Sequence, residues 1–361
     1  MKYIVYICLF LSQIFLGTLY AKEGSLKLNK LDELRILSSL DINPSFANDK
    51  EYIKMKNDID KLKTIYFLKT LKRGDIFMPN LHELLQDANI PDTFLYMAMV
   101  ESKFLADVKS HKNAAGLWQL MPKTAKKFNL EINSKIDERL DPIKSTKVAI
   151  QYLNELYDRF GKWYLAAIAY NCGQTRLARV IKEIGSDDIS LLLDGEKKYL
   201  PAETRDYMRR IIVAALLAYD DEIIVKNNAN HLFGNCTNSK LIEVFFDGGI
   251  SLEEISKKVN IPIQMIKTCN PHLLNSKLPS NKKTYHVYIP QELIKNFEVK
   301  KDIKKKVLIV KNEEIFTYEV KKGDTSHSIS IKFNNRLQTL KDLNPNFPQN
   351  LKEGVLLKIK R

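Results

Sequence analysis

Glu101 closes an apolar run, Phe94-Leu95-Tyr96-Met97-Ala98-Met99-Val100-Glu101-Ser102, in a chain that otherwise tends to leave its charges on polar faces. If the run is helical, Met97 and Ala98, four and three residues earlier, share the face of Glu101, and that face should be buried. Burial disfavours the ionised carboxyl, and the partial negative charge at a helix C-terminus acts in the same direction. A carboxyl so placed holds its proton near neutrality, the state a general acid requires. The pattern also fits a core glutamate with satisfied hydrogen bonds, or one that caps its own helix, since structural networks perturb carboxyls too.

Other reactive side chains offer less. The six histidines, His82, His111, His231, His272, His286 and His327, are scattered and form neither H-E-x-x-H nor H-x₃-H, so neither metal catalysis nor a cofactor is expected. Cys172, Cys236 and Cys269 lie beyond the N-terminal apolar stretch, an odd number without C-x-x-C spacing, which indicates neither a zinc site nor a disulfide framework. Cys236 and Cys269 could pair in an oxidising compartment, and the sequence leaves that open.

The elements that must position Glu101 can be read from periodicity and capping. The 361 residues are 28% charged and 45% hydrophobic, a globular composition with room for two or three domains. Lys2 followed by apolar Ile4 to Leu19 and the small Ala21 predicts a secretory signal over residues 1–21. An uncleaved signal would leave a membrane anchor. Residues 22–80 carry helical patterning, including Leu62, Ile65 and Tyr66, and are expected to pack on the helical region downstream. Over 81–222 the helical signals strengthen. Asp141-Pro142 supplies an N-cap with proline in the first turn, Gly161 a C-terminal stop, and Ala149, Tyr152, Leu153, Leu156 and Phe160 one apolar face. The net charge of +14 favours a polyanionic partner. An exported chain with dispersed lysines and no nucleic-acid reading motif points to cell wall or membrane surface instead of nucleic acid.

Beyond about residue 230 the pattern becomes short alternating runs, and a repeat appears. Gly249, Ser251, Ile255, Ser256, Lys258, Asn260, Ile263, Ile266, Lys267, Asn270 and Pro271 recur 74 positions later as Gly323, Thr325, Ile329, Ser330, Lys332, Asn334, Leu337, Leu340, Lys341, Asn344 and Pro345. This is a duplicated β-α-α-β unit, with copies over 241–290 and 314–361 and a basic linker over 291–313. The expected fold class is therefore α+β multidomain, an all-α domain followed by two small mixed units.

Several motifs stand in order downstream of Glu101: Ala115-Gly116-Leu117-Trp118-Gln119-Leu120-Met121-Pro122, then Ala169-Tyr170-Asn171-Cys172-Gly173, then Leu200-Pro201-Ala202-Glu203-Thr204-Arg205-Asp206-Tyr207. This series resembles the Slt family of lytic murein transglycosylases, and in particular its D-type branch. The unit around Tyr318 to Pro345 resembles a LysM domain, and the earlier copy a degenerate one.

The resemblance implies a lysozyme-like helical domain that cleaves the MurNAc-GlcNAc bond of peptidoglycan without water, leaving a 1,6-anhydro sugar. It makes Glu101 the single acid and base. Ser102 and Gln119 become polar contacts to the sugars, and Tyr170 and Asn171 neighbours of the carboxyl, with the Tyr170 hydroxyl orienting it. Glu203 and Tyr207 become peptidoglycan contacts at the far side of the groove. Trp118 is either a core anchor or a sugar platform. The partners implied are peptidoglycan glycan strands, with cell-wall synthesis or remodelling proteins as further candidates, in the periplasm or cell envelope. A goose-type-lysozyme-like hydrolase and an inactive wall-binding scaffold are the competing expectations. Departures from the family pattern are local: Cys172 replaces a small alanine, Ser326 replaces a LysM leucine, and Gly249-Ile250-Ser251 lacks the usual aspartate after glycine.

Overall fold

The structure is a computed structural model that describes residues 30–226, 240–282 and 284–294, and, in the C-terminal unit, residues 315–321, 324, 328–329, 332–333, 340–341, 343–344 and 352–360. The expected signal peptide, most of the expected linker and Cys236 lie outside the described residues.

Among the described residues, four α-helices precede the Glu101 segment: α1 (Lys30–Ser39), α2 (Lys50–Asn57), α3 (Lys61–Gly74) and α4 (Met78–Asp87). They are not a separate layer. Ile36, Leu37, Phe46, Tyr52, Phe67, Leu71, Met78 and Leu81 belong to the same apolar core as the helices after Glu101. Asp49 caps α2 by accepting from Tyr52 N. Its carboxylate also takes a two-pronged ion pair from Arg209, Nε–Oδ1 2.9 Å and Nη2–Oδ2 3.1 Å. Arg209 is 2% exposed, so the pair locks the lead-in to the last long helix, and losing one partner would strand a buried charge at a cost of about 3–5 kcal/mol. The helical pattern of 59–66 puts Ile59 inward but leaves Leu62, Ile65 and Tyr66 exposed. Phe67 and Leu71 face the core in their place.

The central helices are α5 (Leu95–Ser102), α6 (Pro122–Lys127), α7 (Pro142–Phe160), α8 (Trp163–Cys172), α9 (Gln174–Ile184), α10 (Ile189–Leu192), α11 (Ala202–Tyr219) and α12 (Asp221–Lys226). Asp141 caps α7 by accepting from Ile143 N and Lys144 N, Pro142 fills its first turn, and Gly161 ends it in the left-handed conformation, as the sequence signals require. α8 is mostly apolar with three alanines, and Trp163 to Ala169 are all buried, so it runs through the middle of the domain with α7 and α11 packed on it.

The first C-terminal unit has strands β1 (Leu241–Asp247) and β2 (Thr284–Pro290), antiparallel from Leu241 opposite Pro290 to Asp247 opposite Thr284, with α13 (Leu252–Val259) and α14 (Ile263–Cys269) between them. A short helix α15 (Gln291–Ile294) comes after β2, at the start of the expected linker. Ser251 and Glu254 form a reciprocal capping box on α13. In the second unit β3 (Ile315–Glu319) pairs antiparallel with β4 (Leu356–Lys360). The repeat is visible as a duplicated side-chain staple. Asn270 donates to Ile266 O and Tyr288 O and accepts from Tyr288 N. Asn344, 74 positions on, does the same with Leu340 O, Lys358 O and Lys358 N.

The first unit is docked on the helical domain. Asn80 on α4 exchanges two hydrogen bonds with the backbone of Leu241 at 2.8 and 3.0 Å. Backbone bonds join Asp137 N to His272 O and Leu274 N to Lys135 O. Leu241, Cys269 and Tyr288 are part of the main core, while Ile136 is part of the unit's own. The physical consequence concerns truncation. A chain ending at Ile294 should retain the thermal midpoint of the helical domain. One ending near residue 230 should unfold at lower temperature, because that cut exposes the apolar seam. Circular dichroism melts of the two truncations make the comparison, and equal midpoints would contradict the docking.

Candidate active site

Glu101 occupies the last turn of α5. The helix stops abruptly because Lys103 and Phe104 both have positive φ, 57° and 56°, and Lys103 N closes the turn on Met99 O. Phe104, 1% exposed, anchors the reversal in the core. Met97 and Ala98 are fully buried beneath the carboxyl. Glu101 itself keeps some exposed surface, so it can be reached, while the packing around it removes most of its hydration. Burial is the main cause that pushes its carboxyl up to about 7. A hydrogen bond from Tyr207 works against this, and the charge of Glu203 adds to it.

The Tyr207 hydroxyl donates to Glu101 Oε1 at 2.6 Å. Tyr207 lies on α11 and is 3% exposed. Burial and the neighbouring Glu101 raise its own phenol well above the ordinary range, so it stays a donor. The assignment of the orienting hydroxyl to Tyr170 is therefore corrected. Tyr170 on α8 donates to Trp118 O at 2.7 Å, although it is close enough for Glu101 to raise its phenol after burial does. The reason is geometric: Tyr170 faces the 115–120 turn, whereas α11 crosses the end of α5.

That turn is a tight antiparallel loop in which Ala115 and Leu120 exchange both backbone hydrogen bonds. Gly116, at φ 79°, is required, because a Cβ there would lie 1.9 Å from Arg139 O. Trp118 is fully buried and its Nε1 donates to Thr146 Oγ1 at 2.8 Å, so it is a core anchor and not a sugar platform. Gln119 has φ 45°, and its Nε2 donates to Gly116 O at 3.0 Å. Beneath the loop Arg139 bridges Asp137 and the carbonyl of Asn113. Nothing in the local pattern of Asp137-Glu138-Arg139 signals this support, because its partners are set by the loop that folds over it.

The remaining candidates separate. Asn171 Oδ1 accepts from Thr204 Oγ1 at 2.7 Å, which ties the end of α8 to the start of α11. Ser102 is 4% exposed and donates to Ala98 O at 3.0 Å, so its hydroxyl is engaged by its own helix. Glu203 is exposed in the first turn of α11. Cys172 is a free thiol that burial pushes up to about 11, which makes it a poor nucleophile. A cavity of about 710 Å³ lies between the 104–109 loop and the first C-terminal unit. It does not include Glu101, and it brings together no comparable acid and donor.

Residues 80–193 match the transglycosylase SLT domain family, residues 240–306 the LysM-like domain of lytic transglycosylase MltD, and residues 318–360 the LysM domain family. This is an SLT domain with two LysM-type units behind it. Membrane-bound lytic murein transglycosylase D of Escherichia coli strain K12 is 26% identical over 359 residues, covering 95% of this chain and 74% of that protein. A putative tributyltin chloride resistance protein of an Alteromonas species is 43% identical over 97 residues, 27% of this chain and 47% of that one. Among solved structures, the 70 kDa soluble lytic transglycosylase of E. coli is 28% identical with a TM-score of 0.31, over 36% of this chain and 22% of that one. This chain thus matches about a fifth of that protein's length. The Slt-family resemblance carried by the motifs is borne out, as is the α+β class with a helical lysozyme-like SLT domain.

The electrostatics of the SLT site can be tested in two ways. In a carbon-detected NMR titration, Tyr207→Phe should raise the Glu101 midpoint above about 7, because the lost hydrogen bond favoured the carboxylate. Glu203→Gln should lower it, and shifts in the opposite order would refute the assignment. The second test concerns stability. The Glu101 carboxyl is raised in the folded state from 4.5 to about 7, so its contribution is fully present below about 4.5 and lost as pH rises through 7. Glu101→Gln mimics the neutral acid. Denaturant melts should show it more stable than the parent by roughly 1–3 kcal/mol above pH 7, with the difference vanishing in acid.

Proposed function

We propose that this chain is a lytic transglycosylase of the cell envelope that cleaves the MurNAc-GlcNAc β-1,4 bond of peptidoglycan. In this reading it forms 1,6-anhydroMurNAc, with Glu101 as the only acid and base and the LysM-type units holding the glycan. The observation that carries the reading is the Glu101 carboxyl, raised to about 7 and held by the Tyr207 hydroxyl at 2.6 Å. No second carboxylate is hydrogen-bonded to it among the described residues.

Most glycosidases use two carboxylates, one as acid and one as nucleophile or base. Here the substrate's own N-acetyl group takes the place of the second. Neutral Glu101 gives its proton to the glycosidic oxygen as the C1–O bond breaks, and the acetamido oxygen shields the positive charge at C1. Glu101, now ionised, removes the proton of the C6 hydroxyl. O6 then bonds to C1, and the carboxyl is neutral again with no water consumed. Tyr207 suits both halves, because its bond steadies the carboxylate between proton transfers without making Glu101 a weak base. Burial keeps the resting acid protonated, and the charge of exposed Glu203 adds a smaller push in the same direction. Gln119 and Asn171, both partly exposed, meet sugar hydroxyls or amides in this reading. Ser102 acts through its helix.

Residues 1–21 act as the export signal in this proposal. Among the described residues no helix is long and apolar enough to cross a membrane.

Mass spectrometry of digested sacculi tests the proposal. Anhydro-muropeptides, lighter by one water than hydrolysis products, are expected, and Glu101→Gln should remove them while leaving the fold intact. Reducing-end MurNAc alone would make the enzyme a hydrolase. Undiminished turnover by Glu101→Gln would remove that residue from the chemistry.

A further inference from the structure

The seam between the SLT domain and the first LysM-type unit encloses a cluster that the reaction does not use. Asp141, His272 and His286 meet there with their donor atoms all within 4.8 Å of one another. Asp141 and His272 have no exposed surface, and His286 is 8% exposed. Asp141 comes from the start of α7, His272 from the loop after α14, and His286 from β2. Asp141 and His286 are 145 positions apart in the chain.

We propose that Asp141, His272 and His286 form a Zn²⁺ site that clamps the first LysM-type unit onto the SLT domain. Two imidazoles and one carboxylate are a donor set that Zn²⁺ accepts, with a water left for the fourth tetrahedral position. His286 Nε2 lies 2.8 Å and His272 Nε2 3.8 Å from Asp141 Oδ2. Two ligands at about 2.0–2.1 Å from a tetrahedral ion stand about 3.3 Å apart, between those two distances.

The feature that demands a partner is His272. Neither of its ring nitrogens has a hydrogen-bond partner among the described residues. A neutral imidazole carries one donor and one acceptor, and leaving each unmet in a dry interior costs about 1–3 kcal/mol. A cation beside Nε2 satisfies the acceptor.

The surroundings also suit an ion. Asp141 Oδ1 is committed to the backbone N–H groups of Ile143 and Lys144. Only Oδ2 is therefore left to face the rings, with the Tyr288 hydroxyl 3.2 Å from it. On the far side of His286, Nδ1 lies 3.8 Å from Glu243 Oε1, beyond hydrogen-bond distance but near enough for the carboxylate to favour a metal-bound ring. Because the ligands come from both sides of the seam, metal binding and docking are one equilibrium. Free Zn²⁺ stabilises only the docked form.

The test uses the whole mature chain, stripped with a chelator and titrated with ZnCl₂ by calorimetry, and with CoCl₂ by absorption. One equivalent of Zn²⁺ should bind, Co²⁺ should give the intense visible bands of a tetrahedral site, and Zn²⁺ should raise the melting temperature. His272→Asn combined with His286→Asn should abolish all three effects, and Glu243→Gln should weaken binding about tenfold. His111→Asn, an exposed histidine elsewhere, should change nothing. The metal-free double variant can be checked for folding by circular dichroism. Failure of the parent chain to take up Zn²⁺ overturns the proposal even if the double variant misfolds. Unchanged uptake by a folded double variant overturns it as well. Neither result bears on anhydro-muropeptide formation.

Discussion

The hydrogen bond between Tyr207 and Glu101 is the contact on which the geometry of the site turns, because it joins two helices that are distant in sequence at the carboxyl proposed as the acid and base. It constrains more than the carboxyl. For Tyr207 to reach Oε1, α11 must cross the end of α5, and α5 must stop there. The stop is made by two left-handed residues and by Phe104 turning back into the core. The crossing is held from the other side by Arg209, two positions beyond Tyr207, through its buried pair with Asp49. The N-terminal helices thus bear on the site without touching it. Shifting Asp49 would move the helix that carries the tyrosine.

Opposing forces at Glu101 set a useful compromise. Burial alone would leave a carboxyl too reluctant to ionise, and so unable to act as a leaving-group acid. Full solvation would leave it ionised before substrate arrived. Tyr207 offsets part of the desolvation and Glu203 restores some of it, so the group rests near neutrality, where donating and reclaiming a proton cost similar free energy. The 115–120 loop is linked to the site through Tyr170, which is near Glu101 and donates to Trp118 O. Its position depends on a glycine that lets the chain pass Arg139 O, on Trp118 plugged into the core, and on Tyr170 tied to the loop's backbone.

The LysM-type repeat was duplicated in sequence, yet its two copies have different relations to the rest of the chain. The first shares core residues and backbone hydrogen bonds with the SLT domain. It is continuous with that domain, and it contributes two histidines to a buried seam. The second has a separate small core of Val320, Ile329, Leu340, Leu357 and Ile359. The same staple asparagine serves both, because each unit must fasten a helix end to a strand whatever lies outside it.

Much of this was legible in the residues. Caps, stops and apolar period placed α7 closely, the constant offset exposed the repeat, and Glu101 stood out because a charge at the end of an apolar run requires a reason. These are local properties, fixed by backbone sterics and by which face of a helix can be wet. Which hydroxyl reaches Glu101, which side of α3 turns inward, whether Trp118 meets sugar or core, and whether three scattered residues such as Asp141, His272 and His286 meet were decided only by tertiary structure. Each depends on how helices cross and where a distant unit docks, and that is a balance of packing summed over many contacts that no short stretch of sequence contains.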